Sequence, residues 1–301
     1  MRLLVTGANG QVGWELDRSL AALGSVVALD RRECDLSRPE RLPKLIRGLK
    51  PDVIVNAAAY TAVDQAEREE QLATIVNSTA VAVMAQEARR TGALLVHYST
   101  DYVFDGLKDA AYTEEDIPHP INAYGRSKLA GEIAIQEVAG SHVILRTSWV
   151  YSARGRNFLR TILRLLRERD ELRIVADQIG APTPAAQIAR ATTAVVNTAV
   201  RERADGRFAS GLFHLTASGV TSWHGFAAAI LDGATRRALL APGRAPRLVP
   251  IASEDYPTPA ARPKNSRLAG DRLNLRFGIA LPSWEEGLSL CLENMRTCEA
   301  V

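Results

Sequence analysis

Gly7-Ala8-Asn9-Gly10-Gln11-Val12-Gly13 lies between an apolar run, Leu3–Thr6, that reads as a buried strand and a helical pattern over Val12–Leu23. A glycine-rich turn at that junction has a physical task. Gly7 permits the tight turn, Gly10 lets backbone approach a pyrophosphate, and Gly13 lets helix and sheet pack closely. The free N–H groups at the helix start then face phosphate charge. The spacing is GxxGxxG, not the GxGxxG of the common dinucleotide fingerprint, and alone it is equally a ligand-free turn. Asp30 changes the weighing. It ends a second strand, Val26–Asp30, about twenty residues on, where a carboxylate accepts from an adenosine ribose hydroxyl. Arg31 follows it, and a guanidinium there suits the extra phosphate of NADP. NADH and NADPH both stay open.

Outward from this turn, strands and helices alternate. Pro39–Leu49 reads as a helix, Val53–Asn56 as a strand, Glu69–Thr91 as a long helix and Ala93–Tyr98 as a strand. Tyr124–Val138 is helical and Val143–Arg146 is again a strand. Short β-branched runs separated by helices imply a parallel sheet covered on both faces. The expected fold is therefore α/β: a doubly wound (Rossmann) parallel sheet with a smaller C-terminal substrate-binding lobe. Residues 1–150 form the nucleotide-binding domain. Residues 151–301 form mainly the lobe, with segments of about 170–220 returning to the sheet. In that half, helices are expected at Phe158–Arg169, Trp223–Asp232 and Trp284 to near Met295, with strands near Leu172–Val175 and Gly211–Leu215. The proline- and arginine-rich stretch Ala241–Arg262 reads as an irregular, partly extended segment.

Composition narrows the function classes. A chain of 301 residues with 47% hydrophobic and 24% charged residues is ordinary for a globular protein. Its net charge of +3 is too small to imply a nucleic-acid partner, and Arg31-Arg32 and Arg236-Arg237 read as solvated faces. Cys34, Cys291 and Cys298 show neither CxxC nor metal-ligand spacing, which fits a reduced compartment. No apolar run approaches the roughly 20 residues of a membrane span. No signal-peptide pattern precedes the first strand. The expectation is a cytoplasmic protein without a membrane partner.

The chemistry is suggested by Tyr124-Gly-Arg-Ser-Lys128, a phenol and an ammonium four apart at the start of a helix. That spacing sets both on one face, and an adjacent ammonium favours phenolate. A tyrosine brought closer to neutral can donate a proton to an alkoxide as hydride arrives. The pair alone is equally a surface feature. Its position beyond the nucleotide turn weighs against that, as does His97-Tyr98-Ser99-Thr100-Asp101-Tyr102 at the carboxyl end of the fourth strand. In doubly wound sheets ligands bind at that edge. Thr100 there shares the substrate oxygen with Tyr124.

Together these residues resemble the extended short-chain dehydrogenase/reductase superfamily and, within it, the dTDP-4-dehydrorhamnose reductase family. The resemblance runs through GANGQVGWEL at Gly7–Leu16, PDVIVNAAAYTAVDQAE at Pro51–Glu67 and HYSTDYVFDG at His97–Gly106. It continues in AYGRSKLAGE at Ala123–Glu132, RTSWVY at Arg146–Tyr151, DQIGAPT at Asp177–Thr183 and YPTPAARPKNSRL at Tyr256–Leu268. It implies reduction of the 4-keto group of a dTDP-linked deoxysugar with NADPH or NADH. Tyr124, Lys128 and Thr100 would be catalytic. Gly7, Gly10, Gln11, Val12, Gly13, Asp30, Arg31, Asp35, Leu36, Ala59, Tyr60 and Thr61, with Tyr124 and Lys128, would hold the cofactor. Thr100, Asp101, Trp149 and Arg262 would hold the nucleotide sugar.

One departure bears on assembly. Some members of the family dimerise through Mg²⁺ held by the equivalent of Glu15 and by acidic residues in the helix after APT. Here that stretch is Pro184-Ala-Ala-Gln-Ile-Ala-Arg190, which offers no carboxylate. No protein-bound metal is expected, and monomer and homodimer both remain open. The nearest alternative is an epimerase or dehydratase of the same superfamily. Dehydratases follow the active-site threonine with Asp-Glu, whereas Thr100 is followed by Asp101-Tyr102. A non-catalytic relative, the regulatory-subunit type of methionine adenosyltransferase, is disfavoured by the intact Tyr124, Lys128 and Thr100.

Overall fold

The computed structural model describes residues 1–241, 243 and 246–298. Its centre is a parallel sheet of β1 (Arg2–Thr6), β2 (Ser25–Leu29), β3 (Val53–Asn56), β4 (Leu94–Thr100), β5 (His142–Thr147) and β6 (Gly211–His214). The strand order is β6-β5-β4-β3-β1-β2. β1 therefore sits between β2 and β3, and the chain reverses its winding there, opening the crevice in which doubly wound sheets bind ligands.

Why these segments form a buried parallel sheet is visible in their side chains. Every residue of β3 and of β4 is buried. Successive residues of β1 feed opposite layers. Leu3 and Val5 pack with Leu16 and Leu20 of α1 (Gln11–Leu20) and with Ile188 and Val195 of a long later helix, Ala185–Ala204. Leu4 faces the other way, toward Ile46 of α2 (Leu42–Leu49), Met84 of α3 (Ala80–Thr91) and Ile135 of α4 (Ala123–Val138).

A separate buried cluster unites Leu163 and Leu166 of helix Phe158–Glu168 with Phe226 and Ile230 of helix Trp223–Arg236 and with Leu288. Of residues 170–220, the helix Ala185–Ala204 and β6 join the central layers. The strand Glu171–Val175 instead pairs in parallel with Arg247–Ile251 beside this second cluster. That pairing is the extended part of 241–262, and Ser253–Asp255 adds one 3-10 turn. Pro250 is accommodated within a two-stranded edge, where a missing N–H is tolerated.

Helix boundaries also shift. The segment read as one helix over 69–91 holds a short helix, Glu70–Thr74, then a wide π turn at Ile75–Thr79, then α3. The reason is Asn77. Its side chain accepts from Tyr60 N at 2.8 Å and donates to Tyr60 O at 3.0 Å, tying the wide turn to the loop after β3. Cys34 and Cys291 are free thiols buried among apolar side chains, and the Cys298 side chain lies outside the described residues. Among the described residues no helix is long and apolar enough to cross a membrane.

Candidate active site

The turn after β1 has the sterics its glycines suggest. Gly7 adopts φ +75°, and a Cβ there would lie 2.8 Å from Ala58 N. A Cβ on Gly13 would stand 2.0 Å from Gly7 O, closer than any side chain allows. Gly10 precedes α1 with no side-chain cap, so the first N–H groups of the helix have no capping partner. A cradle with bare donors and no room for a Cβ fits a pyrophosphate.

Asp30 leaves β2 half-buried and oriented from two sides, accepting from Asn9 Nδ2 at 2.8 Å and from Arg32 N at 2.7 Å. Arg31 points outward, its side chain 79% exposed, with Nε 3.6 Å from Asp35 Oδ1. Asp35 Oδ1 also accepts from the Ser37 backbone and hydroxyl. The Leu36 side chain belongs to the core, which leaves only its backbone to face a ligand. Gln11 Oε1 accepts from Ser152 Oγ at 3.1 Å and Asn157 Nδ2 at 2.9 Å, so the first residue of α1 is tied to the 152–157 loop. Val12 packs against the core. Ala59, Tyr60 and Thr61 follow β3 at the carboxyl edge; the Tyr60 hydroxyl donates to Glu69 at 2.8 Å.

At the end of β4 the residues expected to react come together. Asn122 caps α4, accepting from Gly125 N at 2.8 Å, and Gly125 itself lies so near that a Cβ would meet Tyr102 O at 2.1 Å. This close approach brings Tyr124 beside Thr100. Burial pushes the Tyr124 phenol up from its ordinary value, a hydrogen bond with Thr100 opposes this, and the nearby Asp101 charge adds to the rise. Thr100 Oγ1 donates to Asp101 Oδ1 at 3.0 Å and accepts from Tyr102 N at 3.2 Å. Asp101 is only 2% exposed, and its Oδ2 has no hydrogen-bond partner. Burial raises it to about 6, against hydroxyls of Ser266 and Thr100 that pull it down.

The expected effect of Lys128 on Tyr124 is corrected here. The two share a helix face, yet Lys128 is buried and runs down onto the sheet. Its Nζ donates to Tyr98 O at 2.6 Å and lies 3.2 Å from His97 Nε2. No hydrogen bond joins it to Tyr124 among the described residues, and the phenol is shifted up, not down. Burial therefore favours the neutral phenol.

Trp149 and Arg262 are placed differently from each other. Trp149, at φ 48°, stacks on Trp223 with ring centroids 3.6 Å apart and planes 9° from parallel. Trp223 also donates to Gln178 Oε1 at 3.2 Å, so an aromatic wall joins the end of β5 to the second cluster. Arg262 makes a two-pronged pair with Asp64, at 3.0 and 2.8 Å. Glu15, the residue considered for metal, faces cations: burial raises its carboxyl, opposed by Arg18, Arg154 and Arg190.

A family model described as the RmlD substrate binding domain matches residues 1–297. The chain belongs to the RmlD substrate-binding domain family. RmlD-family relatives extend over its whole length. A dTDP-4-dehydrorhamnose reductase of Burkholderia thailandensis is 56% identical over 98% of this chain and 99% of its own. One from Escherichia coli is 43% identical, with 100% of both chains covered. Among solved structures, a dTDP-4-dehydrorhamnose reductase from Bacillus anthracis in complex with NADP is 35% identical, with TM-score 0.88, covering 97% of this chain and 99% of that one. A Thermus thermophilus UDP-glucose 4-epimerase complexed with NAD, at 21% identity and TM-score 0.78, shares the fold.

Several site residues of this RmlD-family chain escaped the sequence reading. His97 and Asn56 lie under Lys128. Asn77, which donates to Ser127 Oγ at 2.9 Å, anchors α4 to the loop after β3. Trp223 completes the aromatic wall, and Asp64 holds Arg262. The one available signal was the presence of polar residues, Asn56, Asn77 and His97, inside otherwise apolar runs.

Proposed function

We propose that this chain reduces the 4-keto group of dTDP-4-dehydro-β-L-rhamnose to give dTDP-β-L-rhamnose, using NADPH or NADH, with Tyr124 as proton donor. The observation that carries the reading is the Tyr124 phenol set against Thr100 at the sheet edge that also presents the glycine cradle. Full-length relatives named for this reaction support the substrate, and a relative solved with NADP supports the cofactor.

NADPH or NADH, held by its pyrophosphate at the Gly7–Gly13 cradle, would supply the hydride when bound. The chain's own residues do the rest. Gly7, Gly10, Gln11, Val12 and Gly13 receive the pyrophosphate, and Asp30 accepts from the adenosine ribose. Arg31 would meet a 2′-phosphate when there is one, and Asp35, Leu36, Ala59, Tyr60 and Thr61 would contact the cofactor. Thr100 donates to the sugar oxygen as negative charge grows on it, and Tyr124 passes its proton there. Lys128 holds positive charge below the pair. Asp101, Trp149 and Arg262 hold the sugar nucleotide, with Trp149 as a flat apolar wall and Arg262 toward the diphosphate. In this reading residues 1–150 with the returning helix and β6 carry the cofactor, and the remaining C-terminal segments carry the sugar.

The test is consumption of NADPH, and in parallel NADH, at 340 nm with the keto-sugar generated in a coupled reaction. Stoichiometric loss of absorbance is expected; an epimerase or dehydratase would return its cofactor and show none. Tyr124→Phe should lower kcat by about a thousandfold, within the usual range for a general acid, with cofactor affinity nearly unchanged. Retention of full activity would remove Tyr124 from the role.

A further inference from the structure

Beneath the reacting pair, a line of buried polar side chains crosses three neighbouring strands. The strand register sets Thr6 beside Asn56 and Asn56 beside His97. Thr6 Oγ1 donates to Asn56 Oδ1 at 2.6 Å, Asn56 Nδ2 lies 3.0 Å from His97 Nδ1, and His97 Nε2 lies 3.2 Å from Lys128 Nζ. Thr6, Asn56 and His97 are each 1% exposed and Lys128 2%.

Donors and acceptors along this line have one consistent assignment. The backbone N–H of Ala58 can only donate, and it is 3.3 Å from Asn56 Oδ1. The amide nitrogen of Asn56 therefore faces His97. An amide NH2 only donates, so His97 Nδ1 must accept, and the proton of the neutral imidazole sits on Nε2. That N–H points at Lys128. An ammonium is itself only a donor. It satisfies one hydrogen on Tyr98 O at 2.6 Å, but toward His97 it meets a second donor. The neutral amine, by contrast, has a lone pair to receive this N–H.

We infer that His97, oriented by Asn56, is a positioning residue that loosens the proton of Lys128, setting an N–H against the ammonium and offering it no acceptor. The inference rests on Lys128 belonging to the reacting site. The other ionisable groups around Lys128 are Glu132, one turn on along α4, and Tyr124, one turn back, with Asp101 beyond it. Glu132 favours the ammonium, but Arg146 of β5 engages both its oxygens, at 2.9 and 2.6 Å. Burial acts in the same direction as His97: it brings Lys128 down to about 8, with Glu132 opposing. Burial and the Lys128 charge also hold His97 well below its ordinary value, which keeps the imidazole neutral.

Two measurements test this. Nitrogen-15 NMR of histidine-labelled protein, with His97→Gln assigning the signal, should find the proton on Nε2 at neutral pH. A proton on Nδ1, or on both nitrogens, overturns the inference whatever the kinetics. Separately, Asn56→Asp gives Nδ1 an acceptor, moves the imidazole proton there and turns Nε2 toward the ammonium as an acceptor. The alkaline limb of kcat/KM against pH should then move up by about one unit. His97→Gln, whose amide oxygen can face the ammonium, should move it the same way. A limb unmoved in both folded variants overturns the inference. Lys128→Met separates this from the underlying reading: if it keeps the limb and full activity, Lys128 is not part of the site, while the NMR result still reports the tautomer.

Discussion

The glycine turn after β1 and the polar centre at the end of β4 solve opposite problems. In the turn, function is made by what is missing: side chains are absent at Gly7 and Gly13 because neighbouring backbone lies 2.8 and 2.0 Å from where a Cβ would stand. In the centre, function is made by what is added. Asp101, Lys128 and His97 are sealed from water, and their proton affinities follow from desolvation and a few fixed partners. The first region is steric, made by the turn's own backbone and by the Ala58 backbone after β3. The second is electrostatic and assembled from β3, β4 and α4.

The contrast can be broken most severely at Gly13. Gly13→Ala places a Cβ on the Gly7 carbonyl, and the turn must open. Cofactor affinity should fall by at least about a hundredfold, with stability lost by about 1–3 kcal/mol as for other overpacked sites. Gly10→Ala, whose Cβ would be 3.1 Å from Gly7 O, should cost far less stability, while its Cβ would still stand where the pyrophosphate approaches. Titration of cofactor binding by fluorescence, with thermal melts of both variants, checks this; equal losses of stability would show that the turn is not held by sterics at Gly13.

The electrostatic side is sharpened by Asp101. Its folded value is raised above the unfolded one, so the folded state binds this proton more tightly. Its contribution to stability is therefore fully present below about pH 4 and is lost as pH rises through about 6. Asp101→Asn should stabilise the protein by about 1–2 kcal/mol at pH 7.5, and that gain should vanish at pH 4. Denaturant melts at the two pH values read the difference. A gain independent of pH would mean that the carboxylate is not the strained group.

The smallest effect expected is at Arg31. It is exposed and weakly paired, so Arg31→Ala should leave folding untouched and lower the preference for NADPH over NADH by about tenfold or less, as for a solvated ion pair. Comparing kcat/KM for the two cofactors measures it, and an unchanged ratio would move the 2′-phosphate contact elsewhere.

The same contrast explains what could be read in advance. The parallel sheet was legible because its strands are short apolar runs, and the Gly7–Gly13 turn because its glycines follow the first strand directly; that Ala58 closes over Gly7 was not. Tyr124 and Thr100 are proposed from motif and sheet edge. The direction of the Tyr124 shift was not legible, because four-residue spacing says which face a lysine shares but not how deep it reaches. His97 looked like one more strand residue until register set it beside Asn56. The Arg247–Ile251 strand was hidden by its prolines and by a partner, Glu171–Val175, more than seventy residues away.

The pair between Arg262 and Asp64 has a consequence for turnover. An anion arriving at this guanidinium does not find a bare charge; it displaces a carboxylate already bound through two hydrogen bonds. What is gained is then a difference between two ion pairs, not the whole of one. On departure the arginine closes back on Asp64 and is not left stranded. If the proposed diphosphate contact forms at Arg262, such an exchange would discriminate between anions by geometry while holding none of them long, as a site that empties once in every cycle requires.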